Sequence, residues 1–533
     1  MSTILSRIVL PKSNRMAQSD LYYHTNGVAS LKSGVLVIAK GNTVRFDSYF
    51  NAFFYPKYLR YTHISVISLH LRLSGQVRLR VLCNTRDGDK DTVFEDDISE
   101  ERIDLPICKL SDLPPEGMLF FELEAKSETV RFSQGWYATE EIVQNEVKVA
   151  IVICTYRREE YVVRNLKQLQ QELWADVECP IRNFLDVFVI DNGKTLVLEE
   201  MPHVQIVFNK NCGGSGGFTR GLIEAYRRKQ EYTHVLFMDD DISFETETLV
   251  KTVQLLRFAK QLERPLCIGG QMLIEDSPTL QFEAGAYFRN GRVVSMRHGF
   301  DLTEPDTLLE NEAERDTQYT GWWYCCFPLE TVKQIGLPLP FFIKADDLEY
   351  GLRMKPYFVL MNGIGVWHTD FSRKYSPHLE YYIKRNELVV SALHDSGFGI
   401  LPSMWKLVRA SGKAALIGNP KTIDFMLWAY QDFLEGPDFF LRVDGEWLNQ
   451  RLLQEKEKPT KGRFCSILTD PFRLLPVLAA VFKKYRIVQR QYKDRFTELT
   501  GMDFWCSYLG LDPVQANANG PKKSYGIYIT AAR

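Results

Sequence analysis

Three consecutive carboxylates, Asp239, Asp240 and Asp241, follow the apolar run His234 to Met238. The run's length and β-forming composition predict a buried strand, so the acids stand at its end. Along an extended chain, side chains at i and i+2 share a side. Asp239 and Asp241 therefore converge while Asp240 points elsewhere. Clustered carboxylates repel unless a cation or strong donors neutralise them. Hard oxygen ligands of this kind suit Mg²⁺ or Mn²⁺, ions that commonly bridge to phosphates. A polar turn before a helix expected over 244–260 is the plainer alternative. His368 closes a second short run, Ile364 to Trp367. A neutral imidazole there would complete a site with Asp239 and Asp241, or else serve the packing alone.

Other polar motifs fall at neighbouring strand ends. Thr155 and Arg157 follow the apolar run Val147 to Cys154, and Asp191 closes Phe184 to Ile190. Thr155 and Arg157 suit a nucleotide base, ribose or phosphate. Asp191 suits a uracil imide or ribose hydroxyl, or else a turn in Asp191-Asn192-Gly193. Neither G-x-G-x-x-G nor a P-loop occurs at the first turn, which argues against a dinucleotide enzyme. The segment Asn211-Cys212-Gly213-Gly214-Ser215-Gly216-Gly217 is glycine-dense. It is expected to bring backbone close to an anionic ligand, with a helix from about 217 to 228. Trp322 and Trp323 suit stacking on sugar faces, or a core. Asp346 and Glu349 read as a capping box, which leaves Asp347 as a candidate general base. Both acids could instead only complement the helix dipole.

These motifs need elements to position them. From about Val147 strands alternate with helices, so a mostly parallel sheet is expected, with ligands outside the carboxyl ends of its strands. Residues 1–145 carry several short strands with no helical period between them, which predicts a β-sandwich or jelly-roll accessory domain. Residues 146–390 form the expected catalytic domain and 391–533 a helical C-terminal domain. A linker is expected at 455–463. The basic segment Asp470 to Arg495 suits either an anionic membrane surface or a solvated helix face.

The 533 residues are 45% hydrophobic and 25% charged, with a net charge of −2. That balance gives no argument for nucleic-acid binding. The ten cysteines contain no C-x-x-C pair, so neither a zinc site nor a disulfide framework is expected and a cytoplasmic setting fits. No apolar stretch approaches the roughly 20 residues of a membrane span. No signal-peptide core stands within Met1 to Arg15.

Taken together, the segments resemble a family-2 glycosyltransferase of the GT-A fold, and most of all the bacterial galactofuranosyltransferases that polymerise galactan. The carrying segments are Asn211 to Phe218, Met238 to Asp241, Gly321-Trp322-Trp323, Leu337 to Asp347 and Trp367-His368, with Ser48 to Phe54 in the β module. The resemblance implies an inverting enzyme that moves galactofuranose from UDP-galactofuranose to a glycan or lipid-linked glycan acceptor. By that likeness Thr155, Arg157, Asp191, Asn211, Gly214 and Asp240 face the donor. Asp239, Asp241 and His368 ligate Mn²⁺ or Mg²⁺, Asp347 is the base, and Trp322, Trp323 and Asp346 meet the acceptor. A peripheral membrane contact and a homo-oligomer are further expectations. The competing readings are the same fold with another UDP-hexose, or a non-catalytic glycan-binding protein.

Overall fold

A computed structural model describes residues 2–12, 18–86, 88, 90–371, 375–458 and 463–512, with side chains described for all of these except 463–471. Strands between Thr3 and Thr139 form two antiparallel sheets, of six and five strands. In Val66–Ser74 and Val77–Asn84, buried and solvent-facing residues alternate, as half-buried strands require. The sheets meet through rings such as Phe121 and Phe132, whose centroids lie 6.2 Å apart. This is the sandwich that the sequence led us to expect.

The sandwich is fastened to the region that follows. The Arg7 backbone N–H and Nε donate to Glu247 at 2.6 and 2.8 Å, and the Lys251 ammonium donates to the Phe50 carbonyl at 2.7 Å. Apolar residues of both regions share one continuous core.

A nine-stranded mixed sheet organises that second region. Its parallel part runs in the order Val204–Phe208, Leu185–Asp191, Val149–Thr155, His234–Asp239. The strand Val149–Thr155 is almost wholly buried, which is why it reads as unbroken apolar sequence rather than alternation. Register places the chemistry. Thr155 pairs with Asp191, and Cys154 with Asp239, so those strands end on one edge. Tyr324–Pro328 then runs antiparallel to His234–Asp239, with Tyr324 opposite Met238, so Trp322 and Trp323 enter beside the acids. Ser243 pairs with Trp367, which brings His368 to Asp241.

Helices dominate after Leu379. Leu379–His394, Ile400–Leu416, Pro420–Phe433 and Arg463–Asp494 pack on one another and on the sheet. The first of these crosses the boundary expected at 390. Of the expected linker, 459–462 lie outside the described residues, as do 513–533 of the C-terminal domain. No helix among the described residues is long and apolar enough to cross a membrane.

Two local expectations need correction. The helix after the glycine run starts at Gly213, not near 217. Asp346 does not cap its helix. The cap position is Ala345, with no side-chain cap bond, and Glu349 instead pairs with Arg353 and His394, both at 2.9 Å.

Candidate active site

Ligand atoms of Asp239, Asp241 and His368 all lie within 4.8 Å of one another. The i, i+2 spacing turns both acids to the ion side, and the Ser243–Trp367 pairing supplies the histidine. The imidazole's orientation tests the fit to a cation. Its Nδ1 sits 2.6 Å from the Thr369 carbonyl, which fixes that proton on Nδ1, while Nε2 faces an Asp241 oxygen at 3.1 Å. A neutral ring so held aims a lone pair at a carboxylate. A cation between them, or a second ring proton, makes that arrangement favourable. Two carboxylates, one imidazole and a backbone-anchored second nitrogen fit a divalent ion.

Asp240 points the other way and is buried. It accepts from the Thr155 hydroxyl at 2.7 Å and from Arg158 at 3.2 Å, and Arg158 also reaches Asp241 at 2.7 Å. Burial, and then the Asp241 charge, raises the Asp240 pKa against the lowering effect of Arg158 and Thr155. The Asn165 amide holds the turn by donating to the Asp240 and Ile242 carbonyls at 3.0 and 3.2 Å.

Asp347 lines a cavity of about 480 Å³ whose walls also include Asp239, Trp322, Trp323 and Gly214. The loop before it is strained. Phe342, Lys344 and Ala345 all hold left-handed backbone, at φ of 74°, 70° and 65°. The C-terminal helices hold that strain in place. Arg385 donates to the Phe341 carbonyl at 2.7 Å, and the Asn386 amide to the Ile343 and Lys344 carbonyls at 2.9 and 2.8 Å. Asp346 is buried and accepts from the Ser215 hydroxyl at 2.8 Å. Burial, and then the adjacent Asp346 charge, pushes the Asp347 carboxyl up to about 8. Burial raises the Asp346 carboxyl as well. A half-buried carboxyl with raised proton affinity is suited to removing a proton from a hydroxyl.

Both tryptophans are buried. The Trp323 indole donates to the Gly270 carbonyl at 2.8 Å, and Trp322 packs edge-on against Phe237 at 4.8 Å. Their cavity-facing edges therefore form a fixed wall, not mobile stacking platforms.

Three donor-side expectations fare differently. Asp191 accepts backbone N–H bonds from Gly193, Lys194, Thr195 and Leu196, all at 2.8–2.9 Å. Its acceptor positions are thus taken by the loop, and its role is the turn rather than direct contact with a base. Arg157 sits at φ 57° with its side chain turned out over Tyr156, and Arg158 occupies the inward position instead. Two adjacent arginines carry no sequence sign of which one the left-handed turn sends inward. The glycine run serves mainly packing. A Cβ at Gly213, Gly216, Gly217 or Gly221 would lie 2.1–2.2 Å from Phe342, Cys212, Cys154 or Val152. Only Gly214, in the run's cavity-lining position, faces open space. Asn211 accepts from the Gly213 N–H and donates to Glu446 at 3.3 Å, so it braces the helix start.

Sequence reasoning missed Glu283, which also lines the cavity, whereas Tyr319, another lining residue, opens the aromatic segment that carries Trp322 and Trp323. Burial pushes Glu283 up to about 7. Glu283 belongs to no motif, so only the tertiary fold brings it in.

Comparison with known proteins bears on this geometry. Residues 5–139 match the family model "Galactofuranosyltransferase 2 N-terminal", and 146–366 match "Glycosyltransferase like family 2". Galactofuranosyltransferase GlfT2 of Mycolicibacterium smegmatis is 28% identical over 477 residues, covering 82% of this chain and 72% of that protein. Galactofuranosyltransferase GlfT2 of Mycobacterium tuberculosis is 27% identical over 483 residues, covering 83% and 74%. A solved mannosyltransferase from Pyrobaculum calidifontis overlays with a TM-score of 0.31 at 13% identity, covering 65% of this chain and 90% of that one. An overlay that loose decides nothing.

Proposed function

Because the chain is a family-2 glycosyltransferase of the GT-A type that resembles bacterial galactan galactofuranosyltransferases, we propose that it moves galactofuranose from UDP-galactofuranose to a hydroxyl of a glycan acceptor, with inversion at the anomeric carbon. The observation that carries this reading is one cavity lined by Asp239, Asp347 and both tryptophans. Asp239, Asp241 and His368 would hold Mn²⁺ or Mg²⁺, which when bound offsets the negative charge gathering on the departing UDP. Asp347 takes the proton of the acceptor hydroxyl. The freed oxygen forms the new bond to the anomeric carbon as the bond to UDP breaks, and UDP leaves with the electron pair. A single displacement of this kind inverts the centre. Arg158 and Thr155 hold Asp240 in place at the edge where the nucleotide would sit. Asp346 keeps Ser215 and the strained loop together. The same proposal takes residues 1–145 as an accessory domain, 146–390 as the catalytic domain and 391–533 as a helical domain.

Purified protein incubated with UDP-galactofuranose, Mn²⁺ and a panel of galactoside acceptors tests the proposal. Release of UDP and a product with the inverted anomeric signal in proton NMR are expected. Transfer from another UDP-hexose but not from UDP-galactofuranose overturns the donor. A retained configuration overturns the single displacement.

A further inference from the structure

The strand Tyr357–His368 does not run evenly to its last residue. It pairs with Leu266–Ile274, and between the pairs Gly269–Leu360 and Gln271–Gly365 four of its residues, Met361 to Ile364, stand against Gly270 alone. That bulge decides the register beyond it, because pairing resumes at Gly365 and ends with His368 opposite Ile274. A slip of one residue there would carry the imidazole about 3.3 Å along the strand and turn it to the other face of the sheet. The place of His368 therefore depends on what holds the bulge.

Groups on two sides hold it. On one side Glu312 accepts from the Asn362 N–H, and the Asn362 side chain donates to the Leu308 carbonyl at 2.9 Å and accepts from Asn311 at 2.6 Å. On the other side the helix Glu247–Arg257 and the sandwich meet the strand together. The Thr248 hydroxyl donates to the Gly365 carbonyl at 3.2 Å. Lys251, one turn on, is buried with its ammonium in the hollow of the bulge. A Cβ at Gly363, where φ is 79°, would lie 2.2 Å from that Nζ. The ammonium donates to the Phe50 carbonyl of the sandwich at 2.7 Å. A Cβ at Gly365 would likewise lie 2.2 Å from the hydroxyl of Tyr49. The Phe50 ring packs on Trp367, with centroids 5.7 Å apart, and Trp367 directly precedes His368. Asn51 locks this sandwich segment in turn. It accepts from the Val9 N–H at 2.7 Å, and its amide donates to the Val9 and Tyr22 carbonyls at 2.7 and 2.6 Å. Burying an amine is costly, so Lys251 needs a reason beyond filling space.

We infer that Lys251 and Phe50 are positioning residues for the metal site: through the Tyr49-Phe50 segment the sandwich fixes the strand register that brings His368 to Asp241. The sandwich is then part of the catalytic apparatus rather than an appendage to it. The inference rests on the reading of Asp239, Asp241 and His368 as metal ligands and adds to it the groups that hold one of them in place.

The test uses the full-length protein with Mn²⁺ alone as the probe, its affinity read from the paramagnetic resonance signal of free Mn²⁺. Lys251→Met keeps the stem and removes the ammonium. Phe50→Leu keeps the burial and removes the ring from Trp367. Both are expected to weaken Mn²⁺ binding by about tenfold, the usual effect of removing a group that orients a ligand. Hydrogen exchange of the metal-free proteins is expected to be faster over residues 361–368 in both variants than in the wild type. Leu36→Ala, in the sandwich core on the strand Val35–Ala39, is the control for lost stability alone and is expected to keep the wild-type affinity. Unchanged Mn²⁺ affinity in Lys251→Met and Phe50→Leu overturns the inference, and so does a loss in Leu36→Ala as large as theirs. If Lys251→Met does not fold, Phe50→Leu decides alone. His368→Ala separates the two readings: if it too binds Mn²⁺ like the wild type, the ligand assignment has failed. Weakening by His368→Ala without weakening by the other two rejects only the positioning.

Discussion

Replacing Asp347 by asparagine keeps the side chain's shape and removes its proton affinity, and two opposite effects should follow. As the base, Asp347 accounts for about 10²–10⁴-fold in rate. At about 1.36 kcal/mol per decade that is roughly 3–5 kcal/mol of transition-state stabilisation, read as a fall in kcat with UDP binding unchanged. The second effect is on stability. The carboxyl's folded-state value is raised from 3.8 to about 8, by burial and then by the Asp346 charge. A group raised in this sense costs stability once pH passes its unfolded value near 3.8, and the cost grows until pH passes about 8. Taken whole, the shift is worth roughly 6 kcal/mol, an upper bound because solvent reaches Asp347 and a buried Asp346 remains in the variant. About 2 kcal/mol is expected at pH 8, a thermal midpoint higher by roughly 4–8 °C for a domain of this size. The gain should vanish near pH 4, where both proteins are uncharged at this position. The assay pairs steady-state UDP release with calorimetric melting at pH 8 and pH 4, in EDTA so that no divalent ion offsets the charge. A variant that keeps more than a tenth of kcat refutes the base. A variant no more stable than wild type at pH 8 refutes the repelled, desolvated pair.

His368→Ala should weaken Mn²⁺ binding by roughly tenfold or more, measured by the paramagnetic resonance signal of free Mn²⁺; unchanged affinity would remove His368 from the ligand set. Arg158→Ala leaves the buried Asp240 with one donor fewer, and should cost about 1–3 kcal/mol in urea denaturation at pH 7. That loss should shrink as pH falls and Asp240 takes a proton, so a pH-independent loss would point to packing instead. Gly217→Ala forces a Cβ to within 2.1 Å of the Cys154 sulfur and should destabilise by about 1–3 kcal/mol. Gly214→Ala meets open space and should gain up to about 1 kcal/mol of helix propensity. Equal melting of the two glycine variants would mean that the close approach of this helix to its strand is not what the glycines provide.

Much of the site was legible because its signals are local. An apolar run that ends in Asp239-Asp240-Asp241 announces a strand, and the two-residue period of an extended chain is enough to send Asp239 and Asp241 one way and Asp240 the other. The alternation of strands and helices after Val147 likewise announces the parallel strands of what is a mixed sheet, and the edge where its ligands gather. What sequence could not decide was every question of which partner a group meets. Asp191 and Arg157 stand at the right strand ends, yet four backbone amides occupy Asp191, and a left-handed turn sends Arg157 outward and Arg158 inward. The glycine run reads as ligand-facing backbone, and packing against Phe342, Cys212 and Cys154 claims all but Gly214. The capping-box spacing at Asp346 and Glu349 yields to a buried Glu349 that pairs with Arg353 one turn on in its own helix and with His394 of a later helix, and only the second contact lies beyond any local pattern. Local periodicity thus determined the strands, their ends and the acids upon them. The tertiary fold decided which of those groups line the cavity, because long-range register and helix docking bring together residues such as Ser243 with Trp367 and Asn386 with Lys344 that are far apart in the chain.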